Sequence, residues 1–305
     1  MRSSFSLSLL YHAYVYLEFL ILACTIYILA QYYMKLASYR ANYPKCNAGE
    51  REGQYQNLDF AYLKELSTLD MYLRYIIIEM ALDIEHAIKV KIVNDVTNNP
   101  QEDGYNVIKQ FLAKDNNISV LKKIKSHKSS EYCKDLIEKY YPYFPIWFFV
   151  ELISFGDLLH FTSFYEKTYN VKIVNNDFMN IIRDLRNAAA HSNSILNKMT
   201  ERIDSTKQIN YEMSEFIKSM TDISKQSRKN NLNCKFTYNF VALLYVYNAL
   251  MGNIVKQKRY KQLKDFLDCR AKKNKNYFLS NCKIVSVYNF HKKVVDNLLS
   301  ATYNI

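Results

Sequence analysis

The chain of 305 residues is long enough to bury one large core or two small ones, and it contains only 5 glycines and 4 prolines. So few turn-forming residues exclude glycine-rich phosphate loops and favour long helices, so the predicted fold class is all-α. Lys and Arg total 41 against 29 Asp and Glu, a net charge of +12. This excess favours a polyanionic partner, nucleic acid before membrane.

The spacing of the cysteines and the absence of several known motifs restrict which metal, cofactor and catalytic sites the chain can contain. The six cysteines have no C-x-x-C or Cys/His zinc spacing, and we interpret them as reduced thiols of a cytoplasmic protein. The sequence has no P-loop, Rossmann fingerprint, HExxH motif or nucleophile elbow. It also lacks an Asp/Glu cluster of the kind that holds catalytic magnesium. We therefore expect no metal and no cofactor.

The first predicted element is an apolar stretch from Leu9 to Tyr33, apolar enough to suggest a membrane span or a signal anchor. His12 and Glu18 interrupt it, and its uninterrupted apolar core, Phe19 to Ala30, is about twelve residues long, which fits a buried helix better. We interpret this stretch as a buried helix of a soluble protein, with a membrane anchor as the alternative.

A long amphipathic segment follows a polar loop at Tyr39 to Gln56. Between Asn57 and Val96 the apolar residues recur at threes and fours, which predicts one long helix or two helices joined near Leu66 to Asp70. Arg74 lies within this segment, and we expect it to pair with a buried carboxylate, or else to contact a phosphate.

Two stretches with opposite character come next. Lys122 and Lys123 begin a basic run, which is typical of a solvated helix face and, in a net-basic protein, of a phosphate-contact patch. Ile146 to Phe164 is strongly apolar and predicts core. We include the two lysines among the candidate RNA-binding residues.

The segment Ile181 to Asn197 brings several polar side chains together at a predicted helix end. Arg186, Asn187 and His191 surround three consecutive alanines, which make a smooth, thin helix surface. Asn187 and His191 are four apart and share a face, and the long Arg186 side chain can reach the same edge. A solvated helix face also carries such residues, so spacing alone does not assign a function.

The C-terminal part contains an apolar helix, Phe236 to Met251, and then the densest positive charge of the chain. Aromatic residues are interleaved with these cations, a mixture that suits phosphate binding with base stacking but also a solvated pair of amphipathic helices. The candidate RNA-binding residues here are Lys256, Lys258, Arg259, Lys261, Arg270, Lys272 and Lys273.

The stretch LRNAAAH, with SNSILN after it, resembles the R-N-x3-H signature of HEPN-type proteins and, more narrowly, the Abi (abortive infection) family of AbiD and AbiF proteins. Three other segments resemble that family in the expected order. They are YYMKLASYR at Tyr32 to Arg40, LDMYLRYIIIEMALDIEHAIK at Leu69 to Lys89, and FPIWFFVELISFGDLLHFTSFY at Phe144 to Tyr165.

The sequence also departs from that family pattern. A second His often follows the motif His, and here the position is Ser192. Ser194 and Leu196 replace an Arg and a Trp that are expected shortly afterwards. These departures leave the R-N-x3-H residues intact, but they change positions that are expected to make accessory contacts with the substrate.

The resemblance implies a HEPN-like helical bundle with additional helices at both ends. The predicted division is an N-terminal helical extension at 1–56, a HEPN-like core at 57–200 and basic C-terminal helices at 201–305. A chain with a single motif implies a homodimer with a composite active site.

The resemblance also implies anti-phage defence by growth arrest, through metal-independent cleavage of RNA. His191 would be the general acid or base, Arg186 would neutralise charge on the phosphoryl oxygens, and Asn187 would orient the histidine or bind phosphate. RNA could be substrate, small regulatory non-coding RNA, or both. The alternative is a non-catalytic module that binds a structured small RNA, and a membrane-associated protein is a third possibility.

Overall fold

The computed structural model describes residues 33–114, 117–126, 131, 133–204 and 208–303. Within these ranges the chain forms helices and two isolated bridges, Lys45 with Tyr55 and Arg202 with Cys234, and no strand. The all-α prediction is confirmed. The predicted helix from Leu9 lies outside the described residues except for Tyr33, and no helix within them is long and apolar enough to cross a membrane.

A helical turn at residues 33–38 and a short 3-10 helix, Tyr39–Asn42, precede the main helices. In chain order these are α1 (Phe60–Asn98), α2 (Asn106–Leu112), α3 (Ile118–Ser126), α4 (Lys134–Tyr140), α5 (Ile146–Leu152), α6 (Phe155–Tyr169), α7 (Met179–Ala190), α8 (Tyr211–Lys218), α9 (Lys225–Leu232), α10 (Lys235–Leu250), α11 (Asn253–Asp265) and α12 (Cys282–Tyr303). A π-helical turn, Phe266–Arg270, follows α11.

The axis of the fold is α1, a single helix of 39 residues. The carboxylate of Asp59 caps its start by accepting the Ala61 N–H at 2.7 Å, and no Gly or Pro interrupts it. Ile77, Ile84 and Ile88 on its inner face are fully buried. Of the two alternatives for this segment, one helix is therefore correct.

The apolar stretch that predicted core forms two helices, α5 and α6. The break lies at Ile153 and Ser154, where the Ser154 hydroxyl accepts the Asp157 N–H at 3.2 Å and caps α6. Behind them the rings of Phe111, Phe149 and Phe161 pack edge to face. The apolar content of this stretch predicted its burial, but the Ser154 cap determines where α6 begins.

Helices α7, α10 and α11 all pack against α1, and α12 packs against α11. The segment after residue 200 thus contributes to the same apolar core as the helices before it; Val241, Leu244 and Tyr260 are fully buried there. The core therefore runs along α1 from the N-terminal turn to the C-terminal helices.

Candidate functional site

The helix that carries the R-N-x3-H residues, α7, is amphipathic and rests its apolar side on α1. Met179, Ile182, Leu185 and Ala189 are buried, at helical spacing. The face that remains outside carries the polar residues of the motif. The sequence prediction that a helix ends in this stretch is confirmed.

The helix ends at the motif histidine. His191 is the C-cap, and the next residue, Ser192, has φ = +57°, the left-handed region. The Ser192 N–H donates to the Ala189 carbonyl at 3.1 Å and the Asn193 N–H donates to the Ala188 carbonyl at 2.8 Å. This pair of bonds is the Schellman arrangement, which stops a helix while satisfying its last carbonyls.

The three motif side chains have different surroundings. Nη1 of the half-buried Arg186 donates to Oδ1 of Asn187 at 3.2 Å. Within the described part of the chain no carboxylate forms an ion pair with Arg186, and the exposed His191 ring makes no hydrogen bond. Asn187 therefore holds the arginine in this structure, while the imidazole faces solvent.

Two buried polar residues hold the loop that follows His191. The Leu196 N–H donates to Oδ1 of Asp70 at 2.7 Å, and the Met199 N–H donates to Oδ1 of Asn42 at 2.8 Å. Asn42 also donates to the Leu196 carbonyl at 2.8 Å. These bonds tie the loop to α1 and to the turn before it, which fixes the position of the motif end.

Asp70 is fully buried and forms an ion pair with Arg74, one turn further along α1, at 3.1 Å. Burial raises the pKa of Asp70, although the Leu196 N–H and the Arg74 guanidinium act to lower it. The expectation that Arg74 pairs with a buried carboxylate is confirmed. Sequence reasoning missed Asn42 and Asp70 as anchors, although an aspartate within the apolar pattern of α1 was a signal.

Four of the predicted RNA-binding residues are paired with carboxylates. Nε of Arg259 lies 2.8 Å from Oδ2 of Asp83, and its Nη1 contacts Glu79. Arg270 contacts the Glu65 carboxylate with both of its terminal nitrogens. The other two pairs are Lys272 with Asp268 at 2.9 Å and Lys123 with Asp157 at 3.0 Å.

The remaining predicted cations have no ion pair among the residues that the structure describes. Four are exposed and Lys256 is half-buried; the exposed ones are Lys122, Lys258, Lys261 and Lys273. Their ammonium groups can contact a phosphate without first losing a carboxylate partner. Their role in RNA binding stays a prediction.

Potential metal ligands and thiols are scattered. Over the described ranges, no group of three or more His, Cys, Asp or Glu side chains is arranged to hold a metal ion. The cysteines described there are free thiols, at positions 46, 133, 234, 269 and 282.

Comparison with known proteins gives one match. A family model described as "Abi-like protein" matches residues 27–197, more than half of the chain. The match spans α1 to α7, the R-N-x3-H residues and both anchors of the loop, and it ends within that loop. Neither the curated proteins nor the solved structures contain a match.

Proposed function

The chain belongs to the Abi-like protein family, which supports a role in abortive-infection defence, and we propose that it performs this role as a HEPN-type endoribonuclease. The observation that carries the proposal is the end of α7, where Arg186 has no described carboxylate partner and His191 is exposed. A guanidinium without a described counter-charge and an exposed imidazole, both at one helix end, are suited to a phosphodiester.

The proposed reaction is transesterification within the RNA. The ribose 2′-oxygen forms a bond to the adjacent phosphorus, the bond to the 5′-oxygen breaks, and a 2′,3′-cyclic phosphate and a 5′-OH result. His191 takes the proton of the 2′-OH or delivers one to the leaving oxygen. Arg186 stabilises the charge on the phosphoryl oxygens, and Asn187 holds Arg186 in place.

One imidazole performs only one of these proton transfers at a time. A homodimer that places two α7 ends face to face would supply a base and an acid together, so we propose a homodimer with a composite site. Light scattering of the purified full chain tests this proposal. A monomer that cleaves RNA at full rate over a wide concentration range would contradict it.

Cleavage of a synthetic RNA, beside a DNA of the same sequence, tests the enzymatic proposal. Wild type should cut only the RNA and leave cyclic-phosphate ends, because DNA has no 2′-OH. Arg186→Ala and His191→Ala should each lower the rate by about 100-fold or more. His86→Ala is the matched control, since His86 is an exposed histidine on α1. Undiminished cleavage by His191→Ala would refute the assignment.

The second candidate is a module that binds a structured RNA without cutting it. Lys258 and Lys261 on α11 favour it, because both are exposed and neither has an ion pair within the described ranges. Ser192, in place of the second histidine that often follows the motif in the family, also favours it. On this alternative, wild type and His191→Ala would bind the same intact RNA. Lys258→Gln and Lys261→Gln would each weaken binding and reduce its salt dependence by about one released counterion.

A further inference from the structure

A cavity of about 360 Å³ opens between α1, α10, the π-helical turn and α12. Its walls are almost entirely apolar, with Leu66, Phe240 and Leu267 among them. Leu196 and Met199, from the loop after the motif histidine, also line it. A cavity of this size and composition is typical of a site for a small molecule.

One polar group inside this cavity has no partner. His291 is only 4% exposed, and its Nδ1 lies 2.8 Å from the Val287 carbonyl, so Nδ1 carries the hydrogen. Burial lowers the pKa of His291 to about 4, and the ring is therefore neutral at pH 7. Nε2 is then an acceptor, and no donor reaches it within the described residues.

Leaving such a buried acceptor unpaired is unfavourable, because it has lost its hydrogen bonds to water without gaining a partner. A buried water is poorly suited to donate to Nε2, because such a water needs at least two polar partners and the cavity walls offer very few. The rings of Phe236 and Phe240 flank the imidazole, each with its centroid 5.3 Å away. A ligand that brings its own donor on an apolar body would satisfy Nε2 and fill the space.

The mouth of the cavity is positively charged. Lys272 and Lys275 line it and are both exposed. Lys272 is paired with Asp268, whereas Lys275 has no ion pair in the part of the chain described here. An anionic group at the entrance would therefore meet an unneutralised ammonium.

We propose that this cavity binds a small amphipathic carboxylate whose apolar body fills the cavity, whose anionic end meets Lys275, and whose hydroxyl or N–H group donates to Nε2 of His291. A hydroxylated medium-chain fatty acid has all three features. Binding would also affect the loop that follows the R-N-x3-H motif. Leu196 and Met199 of this loop line the cavity, and their N–H groups donate to Asp70 and Asn42. The proposal does not rest on RNA cleavage.

Titration calorimetry of the full chain with ω-hydroxylauric acid and with lauric acid tests the proposal. The two probes differ by one hydroxyl, and the hydroxy acid should bind about ten-fold more tightly, as expected for one added hydrogen bond. His291→Phe keeps an aromatic ring but removes the acceptor, and it should abolish this preference. Lys275→Gln should weaken both probes equally.

Three further variants keep the test independent of folding. Ala271→Trp fills the cavity and should abolish binding, whereas Ala301→Trp, at an exposed position of α12, should not. Leu279→Asp places a negative charge at the exposed mouth and should weaken the anionic probes without disturbing the core. Absence of saturable binding, binding that survives Ala271→Trp, or an unchanged preference in His291→Phe would overturn the proposal.

Amide hydrogen exchange reports the link to the motif. Saturation with ω-hydroxylauric acid should slow exchange of the Leu196 and Met199 amides, while exchange in α6 stays unchanged. This readout uses no RNA, so its failure and the failure of the ribonuclease proposal are separate results.

Discussion

Arg186 and Arg259 differ in what surrounds the same guanidinium. On α11, Arg259 reaches across to α1, where Asp83 and Glu79 receive it, and only 13% of its side chain is exposed. On α7, Arg186 donates to the neutral amide of Asn187, and no carboxylate among the described residues pairs with it. The two arginines therefore differ in whether a carboxylate neutralises them in the folded protein.

The origin of the difference lies in the faces of α1. Toward the C-terminal helices α1 presents carboxylates, among them Glu65 and Asp83, and these bind the arginines that approach. Against α7, no described carboxylate of α1 forms an ion pair with Arg186, which instead donates to the amide oxygen of Asn187. Burial acts to lower the pKa of Arg259, yet the hydrogen bond and charge of Asp83 raise it, which shows how tightly this cation is held.

The largest effect on stability should follow loss of the Arg259 pair. Arg259→Ala leaves Asp83 and Glu79 facing each other without a cation in a half-buried site, and should lower the free energy of unfolding by roughly 2 kcal/mol. Urea unfolding measures this, with Lys261→Ala, an exposed and unpaired cation, as the control. Equal unfolding free energies for the two variants would show that the ion pairs of Arg259 do not stabilise the fold.

The lysines around Asp268 should make stability depend on acid. Burial acts to raise the pKa of Asp268, but Lys272, Lys264 and Lys292 bind its carboxylate, and the pKa lies well below its usual value. With a folded-state pKa below the unfolded value near 4, this stabilisation is present above about pH 4 and is lost as the pH falls further.

Asp268→Asn removes that charge while keeping the shape. It should cost about 1 kcal/mol at neutral pH, since the site is partly exposed, and should flatten the loss of stability in acid. The unfolding free energy, followed from neutral pH downwards, checks this against wild type. Parallel profiles for the two proteins would show that the lysine cluster contributes nothing.

A carboxylate placed next to Arg186 should neutralise it, as Asp83 and Glu79 neutralise Arg259. Ala190 is exposed and four residues after Arg186, so Ala190→Glu places a carboxylate within reach on the same helix face. An exposed ion pair of about 1 kcal/mol should lower RNA cleavage about five-fold, because Arg186 must leave the carboxylate before it meets phosphate. Ala190→Gln is the neutral control, and equal rates for both would contradict this account.

The smallest expected effect is at the helix stop. Ser192 has a left-handed backbone that favours glycine, so Ser192→Gly should raise the free energy of unfolding by about 0.5 kcal/mol. RNA cleavage should stay unchanged if Ser192 serves only the backbone. A loss of cleavage at unchanged stability would assign the hydroxyl a contact with substrate.

Much of the fold was predictable because its signals are local. Apolar spacing predicted α1, α7 and α10, and the serine- and asparagine-rich stretch after Ala190 predicted the end of α7. The division of the core stretch at Ser154 was not predicted, since a single serine cap outweighed an otherwise continuous apolar pattern. The segment that begins at Leu9 lies outside the described residues, so that prediction stays open.

The site was predictable in part. The resemblance to the Abi family came from short motifs in a fixed order along the chain, and the family match confirms it. The grouping of Arg186, Asn187 and His191 at one helix end came from residues close together in the chain. The anchoring of the loop by Asn42 and Asp70 joins residues more than a hundred positions apart, and local spacing carries no record of such a contact.

The sequence by itself determined the all-α class, the helices α1, α7 and α10, the net positive charge, the family and the motif at the end of α7, because periodicity, composition and short motifs can be read along the chain. Only the tertiary structure decided which cations are free. Arg259 and Arg186 look alike in the sequence, and a carboxylate on α1, some 180 positions away from Arg259, makes one a structural ion pair. Coulomb attraction depends on distance in space, and packing on α1 sets that distance.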